Sequence, residues 1–127
     1  MIYGVGTDLV EIGRIEKSLA RFGERLARRV LCEPELKRFR AHRLPAAYLA
    51  KRFAAKEAFT KALGTGIRSP ANWHGLWVVN LPSGKPVLEF TEPLKRLLAK
   101  KGVTASHLSL SDDKGMAFAT VILECEK

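Results

Sequence analysis

Nowhere in this chain does an uninterrupted apolar run approach the roughly 20 residues that a membrane-spanning helix needs. No transmembrane helix is therefore expected. Cysteine is scarce: Cys32 and Cys125 lie far apart and match neither a metal-binding nor a redox spacing. That excludes a disulfide scaffold and leaves two free thiols, as expected in a reducing cytoplasm. The N-terminal Met-Ile-Tyr-Gly-Val-Gly has no basic segment and no cleavage site, so no secretory signal is expected. Aromatic residues make up 8% of the chain, and none interleave with a lysine–arginine run. This counts against a base-stacking platform. Acidic residues are also in short supply, 13 against 22 lysines and arginines, for a net charge of +9. Such an excess implies an anionic partner: nucleic acid, an acidic protein or a phosphorylated ligand.

What is present suits a soluble globular protein, with 46% apolar and 28% charged residues. A length of 127 residues fits a single domain, 1–127, with a core that needs no covalent staples. The most informative stretch runs from Arg52 to Gly66. Ala54, Ala55, Ala58, Ala62 and Leu63 favour helix, no proline interrupts them, and Gly64 stands where a left-handed cap belongs. At about 100° per residue, Leu49, Phe53, Phe59 and Leu63 form an apolar stripe. Glu57 and Lys61 are neighbours on an adjacent face, beside the short side chains of Ala50 and Ala54. Lys56 falls inside the stripe. Two readings stand open for it: a stem that packs while its ammonium snorkels to water, or a cation aimed into a cleft.

The preceding chain begins with a strand over residues 2–10, weakened by Gly4 and Gly6, which suggest close approach of a backbone or a ligand. Asp8 within it is either exposed or held by a metal or a charge partner, because buried carboxylates are costly alone. From Glu11 to Val30 the pattern is helical, broken near Gly23. Arg14, Lys17, Arg21, Arg25, Arg28 and Arg29 lie opposite its apolar side, offset only by Glu16 and Glu24. Such a face is either solvated or a dock for an acidic partner. Glu33-Pro34-Glu35 reads as a helix start with acids at the positive end of its dipole. Leu44-Pro45 then separates that helix from the long one.

Downstream, residues 76–80 and 87–90 make a hairpin around a Pro-Ser-Gly-Lys-Pro turn that presents Lys85. An amphipathic helix follows from Glu92 to about Gly102, and residues 107–112 and 116–123 form a last hairpin. The order of strand, helices, then mostly strands gives an α+β class.

Gly6-Thr-Asp-Leu-Val-Glu-Ile12, then Arg52-Phe-Ala-Ala-Lys-Glu-Ala58 with Lys61 and Gly64-Thr-Gly66, resemble the holo-[acyl-carrier-protein] synthases. These are the short, stand-alone class of 4′-phosphopantetheinyl transferases. The resemblance runs end to end, including the Gly84-Lys-Pro86 turn and the Ser-Leu-Ser strand near the C-terminus. It implies the phosphopantetheinyl transferase fold and Mg2+-dependent transfer of the 4′-phosphopantetheine arm of coenzyme A to a serine of an apo acyl carrier protein. Adenosine 3′,5′-bisphosphate is released, in the service of fatty acid biosynthesis. It further implies a cytoplasmic homotrimer with coenzyme A between subunits, and neither nucleic acid nor membrane as a partner.

By this resemblance Asp8 and Glu57 are the metal-binding carboxylates. Lys61 neutralises charge developing on the phosphates, and Glu57 is the base for the serine, directly or through a water. Arg52, Lys56, Lys61 and Gly64 are assigned to coenzyme A, with Lys85 and His107 as further candidates. Arg14, Arg21, Arg25 and Arg28 match the family's basic helix and would dock the acidic carrier protein. Many relatives place a histidine after the Ser-x-Ser strand, where this chain has Asp112 and Asp113; both are expected in the turn. Two rivals remain at this level: a nucleic-acid-binding α+β domain, which leaves Asp8 and Glu57 without a role, and a Mg2+-dependent phosphohydrolase.

Overall fold

The computed structural model describes residues 1–126. Strand β1 (Ile2–Glu11) passes directly into helix α1 (Ile12–Phe22), and Gly23, at φ 62°, turns the chain into α2 (Glu24–Val30). Helix α3 (Glu33–Ala41) starts at the expected Glu-Pro-Glu, and α4 (Pro45–Leu63) starts at the expected proline. The hairpin β2 (Leu76–Asn80) and β3 (Pro86–Phe90), helix α5 (Glu92–Lys100), and the hairpin β4 (Val103–Asp113) and β5 (Met116–Cys125) complete the α+β order. β1 pairs antiparallel with β5, and β5 with β4, in a three-stranded sheet of order β1-β5-β4; β2 and β3 form a separate pair.

The last hairpin is longer than its alternation of residues suggests. Strand β4 begins four residues before His107 and includes Asp112 and Asp113, which pair with Ala117 and Met116. The turn is Lys114-Gly115, both at positive φ, so the two aspartates end a strand and do not form the turn. Asp112 accepts from the Lys51 ammonium at 3.2 Å, tying the hairpin to α4.

Helix α4 is enclosed on more than one side. Leu49 and Ala50 pack with α1–α3, while Ala54, Ala58, Phe59 and Leu63 pack with the sheet and α5. Its small residues do more than leave room beside charges. A Cβ added at Gly6 would stand 1.9 Å from the Ala58 carbonyl oxygen, and one at Gly4 would stand 2.0 Å from that of Ala62. The close approach suggested by these glycines is therefore strand backbone against helix backbone.

Lys56 adopts neither reading that its position left open. Its side chain has no exposure, and its ammonium donates to Glu35 Oε1 (2.7 Å), the Val30 carbonyl (2.7 Å) and the Trp73 carbonyl (2.8 Å). Glu35 is equally buried and accepts from the backbone N–H groups of Cys32 and Val78, each at 2.9 Å. A lysine enclosed in this way has no donor left for a phosphate, so its assignment to coenzyme A is corrected. Glu35, read as a helix-start acid alone, is the buried partner that the sequence pattern hid.

Gly6→Ala is expected to cost stability at the upper end of the about 1–3 kcal/mol typical of overpacking. The Cβ of Gly13→Ala, with nothing within 4 Å, should instead stabilise α1 by up to about 1 kcal/mol. Urea midpoints of the two variants against wild type check both signs.

Candidate active site

The glycine contact fixes what β1 can offer to α4. Residues two apart on a strand share a face, so Asp8 points the same way as Gly4 and Gly6. It pairs with Ala119 of β5, which is buried. On α4, Lys61 reaches back to this strand: its ammonium donates to Asp8 Oδ1 and to the Thr7 carbonyl, both at 3.0 Å. Glu57 stands one turn before Lys61. Burial pushes its carboxyl above the usual carboxylate range, the Asp8 charge pushes it further, and Lys61 partly opposes them. Asp8, Glu57 and Lys61 thus form one cluster, as expected, with the lysine half-exposed at its mouth.

Among the described residues no group of three or more His, Cys, Asp or Glu side chains gathers to hold a metal. Two carboxylates from a strand and a helix suit Mg2+, which keeps several waters and takes one or two carboxylates together with phosphate oxygens. Lys61 only partly offsets the burial and the Asp8 charge that disfavour an ionised Glu57, so a further cation suits this donor set. Gly64 caps α4 in the left-handed region at φ 88°, donating to the Thr60 carbonyl at 2.9 Å, and ends the helix about one turn past Lys61 and two past Glu57.

Arg52 builds a second locus, nearer the start of α4. Its guanidinium lies 4.1 Å from the centroid of the Tyr48 ring and donates to Asn80 Oδ1 at 2.8 Å. Its buried Nε has no partner among the described residues. The cavity here, about 720 Å3, is lined by Arg38, Tyr48, Lys51, Arg52, Asn80 and Gly84 among others. Asn80 also donates to the Gly84 carbonyl at 3.1 Å, holding the β2–β3 turn from which Lys85 extends. Asn80 and Tyr48 were not legible as site residues. The one available hint was an amide at a strand end, just before a Pro-Ser-Gly turn.

His107 is not brought to the Asp8 cluster within one chain. It pairs with Ile122 on the sheet face opposite that of the buried Leu108 and Val121. There its ring nitrogen lies 2.6 Å from Glu124 Oε2, and that bond holds the Glu124 carboxyl below its usual range. Arg14 on α1, Arg21 in its last turn, and Arg25 and Arg28 on α2 are all exposed. The Arg21 guanidinium sits 5.1 Å from the centroid of the Phe22 ring. Glu24, one of the few acids on this surface, is taken by Arg40 of α3.

A family model described as the 4′-phosphopantetheinyl transferase superfamily matches residues 4–119. The holo-[acyl-carrier-protein] synthase of Pseudoalteromonas atlantica is 53% identical over 123 residues, 97% of each chain. The crystal structure of the Neisseria meningitidis holo-[acyl-carrier-protein] synthase superposes with a TM-score of 0.94 at 41% identity, covering 98% of this chain and 99% of that one. The Bacillus anthracis enzyme in complex with CoA (3′,5′-ADP) superposes with a TM-score of 0.81 at 38% identity, covering 99% of each. The matched span holds Asp8, Arg52, Glu57 and Lys61 in the geometry just described, and the chain belongs to the 4′-phosphopantetheinyl transferase superfamily.

Proposed function

We propose that Asp8 and Glu57 hold Mg2+ while this chain transfers the 4′-phosphopantetheine of coenzyme A to a serine of an apo acyl carrier protein. The convergence of those two carboxylates, with Lys61 beside them, carries the reading. Bound there, the cation would spread the negative charge of a diphosphate under attack. The serine oxygen forms the new bond to the phosphorus that bears the pantetheine. The bond from that phosphorus to the adenosine phosphate breaks, releasing adenosine 3′,5′-bisphosphate. Glu57, with its raised affinity for a proton, is the candidate base for the serine hydroxyl. A cation at the same carboxylate competes with that role. Half-exposed Lys61 can leave Asp8 to meet charge building on the departing phosphate.

Arg52, stacked on Tyr48 and bonded to Asn80 on the cavity wall, is the anchor for a further phosphate of coenzyme A. Lys85, on the β2–β3 turn next to the cavity-lining Gly84, adds charge, and Gly64 bounds the opposite end of α4. The exposed arginines of α1 and α2 would meet the acidic carrier, its serine directed toward Asp8 and Glu57.

Self-association into a homotrimer finds support on the sheet face away from α4. Val5 (57% exposed), Leu9 (55%) and Phe118 (41%) lie there uncovered, as isolated chains rarely leave such a patch. His107 shares that face, so a neighbouring subunit could carry it to the coenzyme A cleft. A cytoplasmic setting fits the two free thiols. Among the described residues no helix is long and apolar enough to cross a membrane.

Intact mass spectrometry of an apo acyl carrier protein after incubation with this chain, coenzyme A and Mg2+ should show the gain of one phosphopantetheine. EDTA, Asp8→Ala and Glu57→Ala should each abolish it; full transfer by both variants would remove the carboxylates from the mechanism. Charge reversal at Arg14 and Arg25 should raise the carrier KM several-fold, more at low than at high salt, because exposed charges are screened beyond about 8 Å at physiological ionic strength. An unchanged KM would relocate the dock. Light scattering should read a trimer mass for wild type and a smaller species for Leu9→Glu.

A further inference from the structure

We infer that Lys56 and Glu35 are positioning residues for Glu57. The inference rests on the reading of Glu57 as a metal ligand, and it gives a task to a buried ion pair that the transfer chemistry leaves unused.

The pair gathers distant parts of the chain at one point. Lys56 belongs to α4 and bonds the last residue of α2 through the Val30 carbonyl, the first turn of α3 through Glu35, and the segment before β2 through the Trp73 carbonyl. Glu35 continues the connection to Val78 of β2 and to Cys32 at the start of α3. Everything in this set is buried or nearly so, and each oxygen and hydrogen has a partner. Such a junction resists displacement, because moving any member leaves charges or polar groups unpaired in the interior.

Helical geometry turns this anchorage into control of Glu57. Ala58, whose carbonyl meets Gly6, lies about 200° round the helix from Lys56, and Glu57 lies midway at about 100°. Helix α4 is therefore held on two opposite sides, by β1 backbone and by the buried ammonium, with the metal carboxylate between. The β1 contact sets how far Asp8 stands from the helix axis. The Lys56 contact sets how the helix is rotated. With side chains about 5–6 Å from the axis, a rotation of about 10° moves a carboxylate by about 1 Å. A misplacement of that size is enough to lower a rate by about 100-fold. Arg52 is held separately by Asn80 and Tyr48, so coenzyme A anchorage should respond less.

The test compares the full-length wild type with Lys56→Met/Glu35→Met, which removes both charges together and avoids stranding one of them. Folding is verified by circular dichroism, and turnover is followed by carrier mass. Mn2+, as a spectroscopic substitute for Mg2+, is titrated by electron paramagnetic resonance in the presence of coenzyme A. The expected result for folded protein is a kcat lowered about 10- to 100-fold with the KM for coenzyme A nearly unchanged, together with Mn2+ affinity weakened about 10-fold. Should that variant not refold, Glu35→Gln, which keeps the side-chain shape and one carbonyl acceptor, carries the same comparison with a smaller expected loss. A lower melting temperature with wild-type kcat and wild-type Mn2+ affinity would overturn the positioning role. Asp8→Ala is the parallel control. If it abolishes Mn2+ binding while the Lys56 and Glu35 variants bind normally, the metal reading stands and this inference alone falls. If Mn2+ binding survives Asp8→Ala, the metal reading fails and takes the inference with it.

Discussion

The contact on which this structure depends is that of β1 backbone against α4 backbone. Gly4 and Gly6 have no Cβ to hold the strand off, and Ala58 and Ala62 present carbonyl oxygens where a side chain would otherwise stand. Since alternate strand residues share a face, Asp8 is carried to the same helix one step further along. Glu57 and Lys61 are waiting there because a helix sets residues four apart side by side. The carboxylate pair is thus a consequence of close packing. A bulkier residue at either glycine would separate the two elements and with them the two acids.

The charge of the chain divides into three populations with different physics. Exposed arginines of α1 and α2 act through long-range attraction, and salt should weaken them. Arg52 is fixed by stacking and by an amide, so its guanidinium would meet an anion with little freedom left to lose. Lys56 is a cation used entirely inside the fold. Removing Glu35 alone would strand that ammonium, which is why a buried pair can be retained without adding much net stability. The net charge of +9 therefore overstates what is offered to a partner.

Sequence periodicity carried most of the fold. Gly23, Pro34, Pro45 and Gly64 mark the helix ends where the structure has them, because glycine at positive φ and proline in a first turn act locally. Asp8 stood out alone as a carboxylate within a strand, whereas Glu57 and Lys61 are an ordinary i,i+4 pair whose roles were implied only by the family resemblance. Lys56 was misread because its environment is tertiary. Nothing local distinguishes a lysine that meets a carboxylate from α3 from one that meets a ligand. Strand alternation turns His107 to the face opposite Leu108, away from the helix, so within one chain it stands apart from the Asp8 cluster. Asp112 and Asp113 looked like turn residues by composition, yet the hairpin register extends through them.

One rigid helix bears both anion-directed loci, and this bears on how a nucleotide with phosphates at two places could be held. At 1.5 Å rise per residue, Arg52 and Lys61 are separated along α4 by about 13.5 Å. Their spacing cannot change without bending a helix that is buried along most of its length. A loop-borne arginine would have to be ordered on binding, at a cost in entropy; here that cost is met in folding. On the proposed reading, the binding free energy of a remote phosphate at Arg52 would orient the diphosphate toward Asp8, Glu57 and Lys61. On that same reading, the coenzyme would be positioned by α4 and the carrier by α1 and α2. Their meeting point depends on how those helices are joined, and that junction is where Lys56 and Glu35 lie.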